Sequence, residues 1–210
     1  MIYVIGDSHV AIFSIYNDQN YMLPLNKMCK SPLHSLCSYR TDPHTAYNLI
    51  NKINEFEQII RELDIKDEDI LIFSYGEVDI RCHIGFHDSY GVESVVNSAI
   101  ENYLRFLLHF KKKYNVGVWG PIASGADNGM QGNGRPSFKT SIERNKITKM
   151  FNNRLEERCD QHNIIFKSIF KTLLSNDRDT NTAYYVDGVH LNIHAQPLVF
   201  NEFKDLLPPK

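Results

Sequence analysis

The chain has 210 residues, 42% of them apolar and 23% charged, which is ordinary globular usage and excludes a disordered, fibrous or membrane-spanning class. That length buries a sizeable core without disulfides or a structural metal, so a single domain over 1–210 is expected. With 23 basic against 25 acidic side chains, the net charge of -2 offers a polyanion no footing, and nucleic acid is not expected as a partner.

The first strand is predicted over 2–5, a short β-branched run that stops at Gly6-Asp7-Ser8. Leu49, Ile50, Ile53, Phe56, Ile59, Ile60 and Leu63 recur at spacings of three and four, which marks an amphipathic helix over 46–63. A second buried strand, 70–73, ends in the polar block Gly76-Glu77-Val78-Asp79-Ile80-Arg81. A helix over 92–114 leads to a strand at 116–119, which Gly120-Pro121 terminates because proline cannot continue a ladder. The stretch 123–136, with four glycines and two asparagines, reads as a mobile surface loop able to lie over a site. Helix over 141–162, strand over 164–166 and a last helix over 197–207 complete the chain. Alternation of this kind predicts an α/β fold of three α/β/α layers around a parallel sheet of about five strands. Ligands of such sheets lie outside the carboxyl ends of the strands, where Ser8, the block after Tyr75 and the turn after Trp119 converge.

The four cysteines, Cys29, Cys37, Cys82 and Cys159, make no CxxC pair and no disulfide framework, which points to reduced thiols in a cytoplasmic protein. The opening MIYVIGDSHV lacks the basic start and apolar core of a secretion signal, and Met1 directly before a strand argues against a removed leader. No stretch approaches the roughly 18 apolar residues of a spanning helix, so no membrane partner is expected.

Gly6-Asp7-Ser8-His9 sets a hydroxyl in the turn after a buried strand. Taken alone, Ser8 fits an N-cap as well as a nucleophile. Asp187-Gly188-Val189-His190 supplies what a serine nucleophile needs, an imidazole base and a carboxylate to fix its tautomer, both on one turn across a glycine. Asp7-x-His9, with His190 and His194 one helical turn apart, also permits a metallophosphoesterase, although the further metal ligands of that class are not evident. Cys82-His83 has no positioned base and reads as a buried or edge thiol.

GDSH after the first strand, a glycine-led polar block after a later strand and DGVH before the last helix together resemble the SGNH hydrolases, or GDSL esterases, over 6–190. The resemblance implies a flavodoxin-like fold and a cofactor-free, metal-free enzyme that hydrolyses or transfers acyl groups, frequently O-acetyl groups of carbohydrates. It assigns Ser8 as nucleophile, His190 as base and Asp187 as its orienting carboxylate, acting on a small-molecule or carbohydrate acyl ester. Two oxyanion donors of the family are missing: valine stands at 78 where asparagine is usual, and 39–46 holds no glycine. A subgroup with a GEIDCR-like third block is the nearer likeness to GEVDIR here, and it brings Ser8, Gly76, Glu77, Asp79 and Arg81 to the oxyanion and substrate side, with Arg81 the candidate donor. Arg81 could equally pair with Glu77 or Asp79. The alternatives from the same residues are an O-acyltransferase with the same triad, a non-catalytic glycan-binding domain and the metallophosphoesterase.

Overall fold

The computed structural model describes residues 1–14, 22–125 and 137–207. Its centre is a six-stranded sheet made of β1 (Ile2–Gly6), β2 (Met28–Lys30), β3 (Leu36–Arg40), β4 (Ile70–Ser74), β5 (Asn115–Trp119) and β6 (Ile165–Lys167), in the order β2-β3-β1-β4-β5-β6. Five strands are parallel, and β2 pairs antiparallel with β3 at the edge. Without β2 the order is that of flavodoxin-like sheets, which reverse direction on either side of the first strand. The expected fold class stands, with one more strand than expected.

Alternation along the strands divides the core between the two faces. Leu71 and Phe73 of β4 and Ile5 of β1 pack with α1 (Ile53–Glu62), α2 (Val92–Lys111) and α3 (Ser141–Gln161), through Phe56, Phe106 and Phe151 among others. Val4 and Ile72 point the opposite way, toward a 3-10 turn, Ser8–Phe13, and α4 (Gln196–Glu202). There Phe13 packs edge-on against both Trp119 and Phe203, which are tilted to each other, with ring centroids 5.2–5.6 Å apart. Both faces are therefore covered, as a parallel sheet requires.

Two predicted helices differ from the expected ones. The segment expected as one helix over 46–63 divides into a 3-10 stretch, Ala46–Lys52, and α1. Thr45 caps the 3-10 stretch, and the buried Asp79 carboxylate accepts the Ala46 and Tyr47 amides at 2.7 and 3.1 Å, which ties its start to the loop after β4. The last helix ends at Glu202 and not at 207, where the chain turns to bring Asp205 onto Lys167 at 2.7 Å.

The carboxyl ends of four strands are in register: Gly6 lies beside Arg40 and Ser74, and Ser74 beside Trp119. Segments beginning at Asp7, Thr41, Tyr75 and Gly120 consequently leave the sheet along one edge. The sheet is tightest at Gly6, where an added Cβ would strike the Ser74 carbonyl and come within 2.7 Å of Val10 Cγ1. Gly6→Ala is expected to cost about 3 kcal/mol, the upper end for overpacking, because the obstructing atom belongs to the sheet backbone. Urea denaturation checks it, and a loss below about 1 kcal/mol would show that the ends of β1 and β4 yield.

Candidate active site

Asp7 leaves β1 and caps the 3-10 turn that follows, its Oδ1 accepting the His9 amide at 2.9 Å. The cap is thus Asp7, and the Ser8 hydroxyl is left for another partner. Val10, Ala11, Ile12 and Phe13 are buried, so the turn that carries Ser8 is anchored in the core. As the first residue of that turn, Ser8 also has an amide with no acceptor inside it.

The other half of the site comes from a closed turn near the C-terminus. The Val186 amide donates to His190 O at 3.0 Å, and a bridge between Tyr185 and Leu191 closes the turn behind it. Gly188, with φ +79°, makes the reversal that an L side chain rarely adopts. Asp187 Oδ1 accepts the Val189 and His190 amides at 2.9 and 2.7 Å, and its Oδ2 lies 2.6 Å from His190 Nδ1. Burial pushes the Asp187 carboxyl up, but the imidazole, the two amides and the charge of His190 outweigh it and hold the carboxyl down at about 2. An ionised carboxylate accepts only, so Nδ1 carries a proton. In the neutral ring the lone pair then lies on Nε2, which is 2.8 Å from Ser8 Oγ. The structure therefore brings Ser8, His190 and Asp187 into one hydrogen-bonded chain.

Glu77 and Arg81 meet beside it. Arg81 Nε and Nη2 donate to Glu77 at 2.6 and 3.3 Å, the pairing that the sequence left open. Asp79–Ile84 forms a turn of π-helix, a form often found at functional sites. Arg81 lies with Glu77, Gly188 and Val189 around one small concavity. His9 Nε2 lies 3.3 Å from Glu77 Oε2, and the His9 ring stands 5.2 Å from that of His190. Burial disfavours the charged form of His9, but Asp7 and Glu77 prevail and raise its pKa; Glu77 is lowered by Arg81 and His9 against its own burial. In the sequence His9 belongs to the first motif and to the candidate metal pattern Asp7-x-His9, whereas the partner it meets lies three strands further on.

The remaining expected residues lie nearby. Gly76 packs against Pro121 and Phe151. Val78 is buried, as its apolar side chain dictates. Asp79 turns away from Ser8 to the Ala46 and Tyr47 amides, as described above. Burial outweighs those two bonds and pushes its carboxyl up to about 7. A folded-state pKa above the unfolded one means that the folded chain keeps a proton the unfolded chain has lost, so this contribution to stability falls as pH rises from about 4 to about 7. Asp79→Asn, measured by urea denaturation across that range, is expected to flatten the decline; an unchanged slope would contradict it.

Of the loop expected over 123–136, residues 126–136 lie outside the described residues. Its root is buried and tied down: Tyr185 donates to Ala123 O, Asn145 accepts the Ser124 amide at 2.8 Å, and Gly125 abuts Gly188. Among the described residues no three His, Cys, Asp or Glu side chains are grouped to hold a metal ion. His190 precedes the 3-10 turn Ile193–Ala195 and is not on one helix with His194, so the spacing argument for a metal pair does not hold.

No protein-family model matches the sequence, and no curated protein matches it. Solved structures do. The chain is similar to a GDSL-like lipase from Bacteroides thetaiotaomicron, with TM-score 0.61, 14% identity and coverage of 98% of this chain and 86% of that one. It is similar also to an acetylxylan esterase from Geobacillus stearothermophilus, with TM-score 0.58, 10% identity and coverage of 100% and 94%. A member of the lipolytic G-D-S-L family from Veillonella parvula aligns with TM-score 0.52, 16% identity and coverage of 98% and 97%. The fold is that of the GDSL hydrolases. Among the described residues no helix is long and apolar enough to cross a membrane.

Proposed function

We propose that the chain is a serine esterase that acts on O-acyl esters through Ser8, His190 and Asp187. The observation that carries this reading is the unbroken hydrogen-bonded chain from Ser8 Oγ through both ring nitrogens of His190 to the Asp187 carboxylate. His190 Nε2 takes the hydroxyl proton as Ser8 Oγ attacks the ester carbonyl, and Asp187 stabilises the imidazolium that forms. The same proton passes to the departing alcohol as the C–O bond breaks, leaving an acyl-serine. Water, deprotonated by His190 in turn, attacks it and releases the carboxylic acid. An acceptor hydroxyl in place of water would make the product a new ester.

The Ser8 amide is the first oxyanion donor in this reading. Arg81 Nη1, which has no hydrogen-bond partner among the described residues, is the second. Glu77 orients the guanidinium and His9 braces Glu77, which supports placing the chain with the subgroup whose third block is GEIDCR-like. Four cysteines, none of them in a disulfide among the described residues, suit a cytoplasmic setting. The acetylxylan esterase and the lipolytic proteins that share the fold support ester chemistry in general. A fluorophosphonate probe tests the reading, since only an activated serine is phosphonylated. A single adduct mapped to Ser8 by mass spectrometry is expected, and an unmodified Ser8 would overturn it.

A further inference from the structure

A concavity of about 530 Å3 opens between the 3-10 stretch Ala46–Lys52, the π-turn and the start of α2. A second of about 510 Å3 shares Thr45, Asn48 and His83 with it, so the two adjoin as neighbouring lobes of one grooved surface. Neither is lined by Ser8, Asp187 or His190. The groove nevertheless borders their neighbourhood: in the short segment from Glu77 to Arg81, Glu77 meets His9 while Asp79 lines the groove.

We infer that this groove binds a neutral oligosaccharide. Its lining matches such a ligand in three respects. Apolar surface from Ile84, Val95 and Ala99 is set beside polar groups, as the faces and edges of a sugar ring require. The Asn48 side-chain carboxamide and the Ser94 and Ser98 hydroxyls make no hydrogen bond among the described residues, so they have capacity for ligand hydroxyls. An acyl chain lying there would desolvate them without a partner. Tyr47 and Tyr90 stand 47% and 76% exposed at the rim, rings that can stack on sugar faces.

Beyond its three histidines, His44, His83 and His87, the lining offers an anion little charge. Among the described lining residues Lys52 is the one lysine or arginine, and it is paired with Glu55 at 3.0 Å. The one carboxyl group among those described lining residues, Asp79, is held by backbone amides. Two joined lobes fit several linked rings in preference to a single sugar. That the bound glycan is what carries the acyl group rests on the esterase reading, whereas the binding itself does not.

The test uses the full chain carrying Ser8→Ala, with unsubstituted xylo-, cello- and chito-oligosaccharides of two to six units, in isothermal titration and saturation-transfer NMR. At least one series is expected to bind with affinity that rises with chain length. Tyr47→Ala and Tyr90→Ala should each weaken it by about 10-fold, with melting temperature unchanged. No binding tighter than about 10 mM, binding indifferent to both tyrosines, or preference for a medium-chain fatty acid would each overturn the proposal. Because Ser8→Ala and unacylated sugars remove chemistry from the measurement, the two readings fail separately. Glycan binding with a wild-type Ser8 that resists the fluorophosphonate would keep the groove and discard the esterase, and the converse result would do the opposite.

Discussion

Ser8→Ala is expected to lower kcat/KM for 4-nitrophenyl acetate by about 10⁴-fold or more, because the three residues act as a unit and a missing nucleophile idles the other two. The fold should hold. Ser8 contributes one hydrogen bond to His190, worth about 0.5–1.5 kcal/mol, and the rest of its turn is anchored by Val10 to Phe13. Steady-state kinetics beside a denaturation curve separates the two effects. Activity within about 10-fold of the wild type would remove Ser8 from the mechanism, and a loss of activity that merely followed unfolding would say nothing in its favour.

Asp187→Asn should be nearly as severe, and the structure gives the reason. The Val189 and His190 amides both donate to Asp187 Oδ1, so the carbonyl oxygen of an asparagine is held at that position and its NH2 group faces His190 Nδ1. Nδ1 is thereby forced to accept, the ring proton moves to Nε2, and the base meets Ser8 with a proton where a lone pair is needed. A fall of about 10³- to 10⁴-fold in kcat is expected, with the turn kept intact by the same two amides. Ring-nitrogen NMR of His190 reads the tautomer directly. Full activity together with the wild-type tautomer would show that Asp187 does not orient the base.

The parts of the fold written in apolar rhythm were legible: β1 and β4 as β-branched or aliphatic runs, α1 and α2 as spaced stripes. β3 was not. Its LCSYR puts cysteine and serine in a central strand, and the buried Ser38 is accommodated by a 2.5 Å contact with Ser14 Oγ that no local pattern announces. The edge strand β2 has the same obscurity, since three residues carry almost no periodicity. In the candidate site, Ser8 and the Asp187–His190 pair could be picked out because each sits in a short block whose chemistry is complete within a few residues. The His9–Glu77–Arg81 cluster was only half readable: Glu77 and Arg81 are one turn apart, but His9 reaches them through the parallel order of the sheet. The groove was invisible for the same reason, being shared by segments that meet only in three dimensions.

The Ser8 and His190 partners are 182 residues apart in sequence, and Gln196, the first residue of α4, fastens to Ile12 O across a similar span at 3.1 Å. Closing so long a loop has no local compensation, so the contact depends on the order of the intervening strands. A partly folded chain can therefore hold β1, β3, β4 and β5 in place and still leave Ser8 without its contact to His190. On the proposed esterase reading, the base lies 182 residues from the hydroxyl it activates, which makes ester turnover a stricter gauge of completed folding than helix content or compactness.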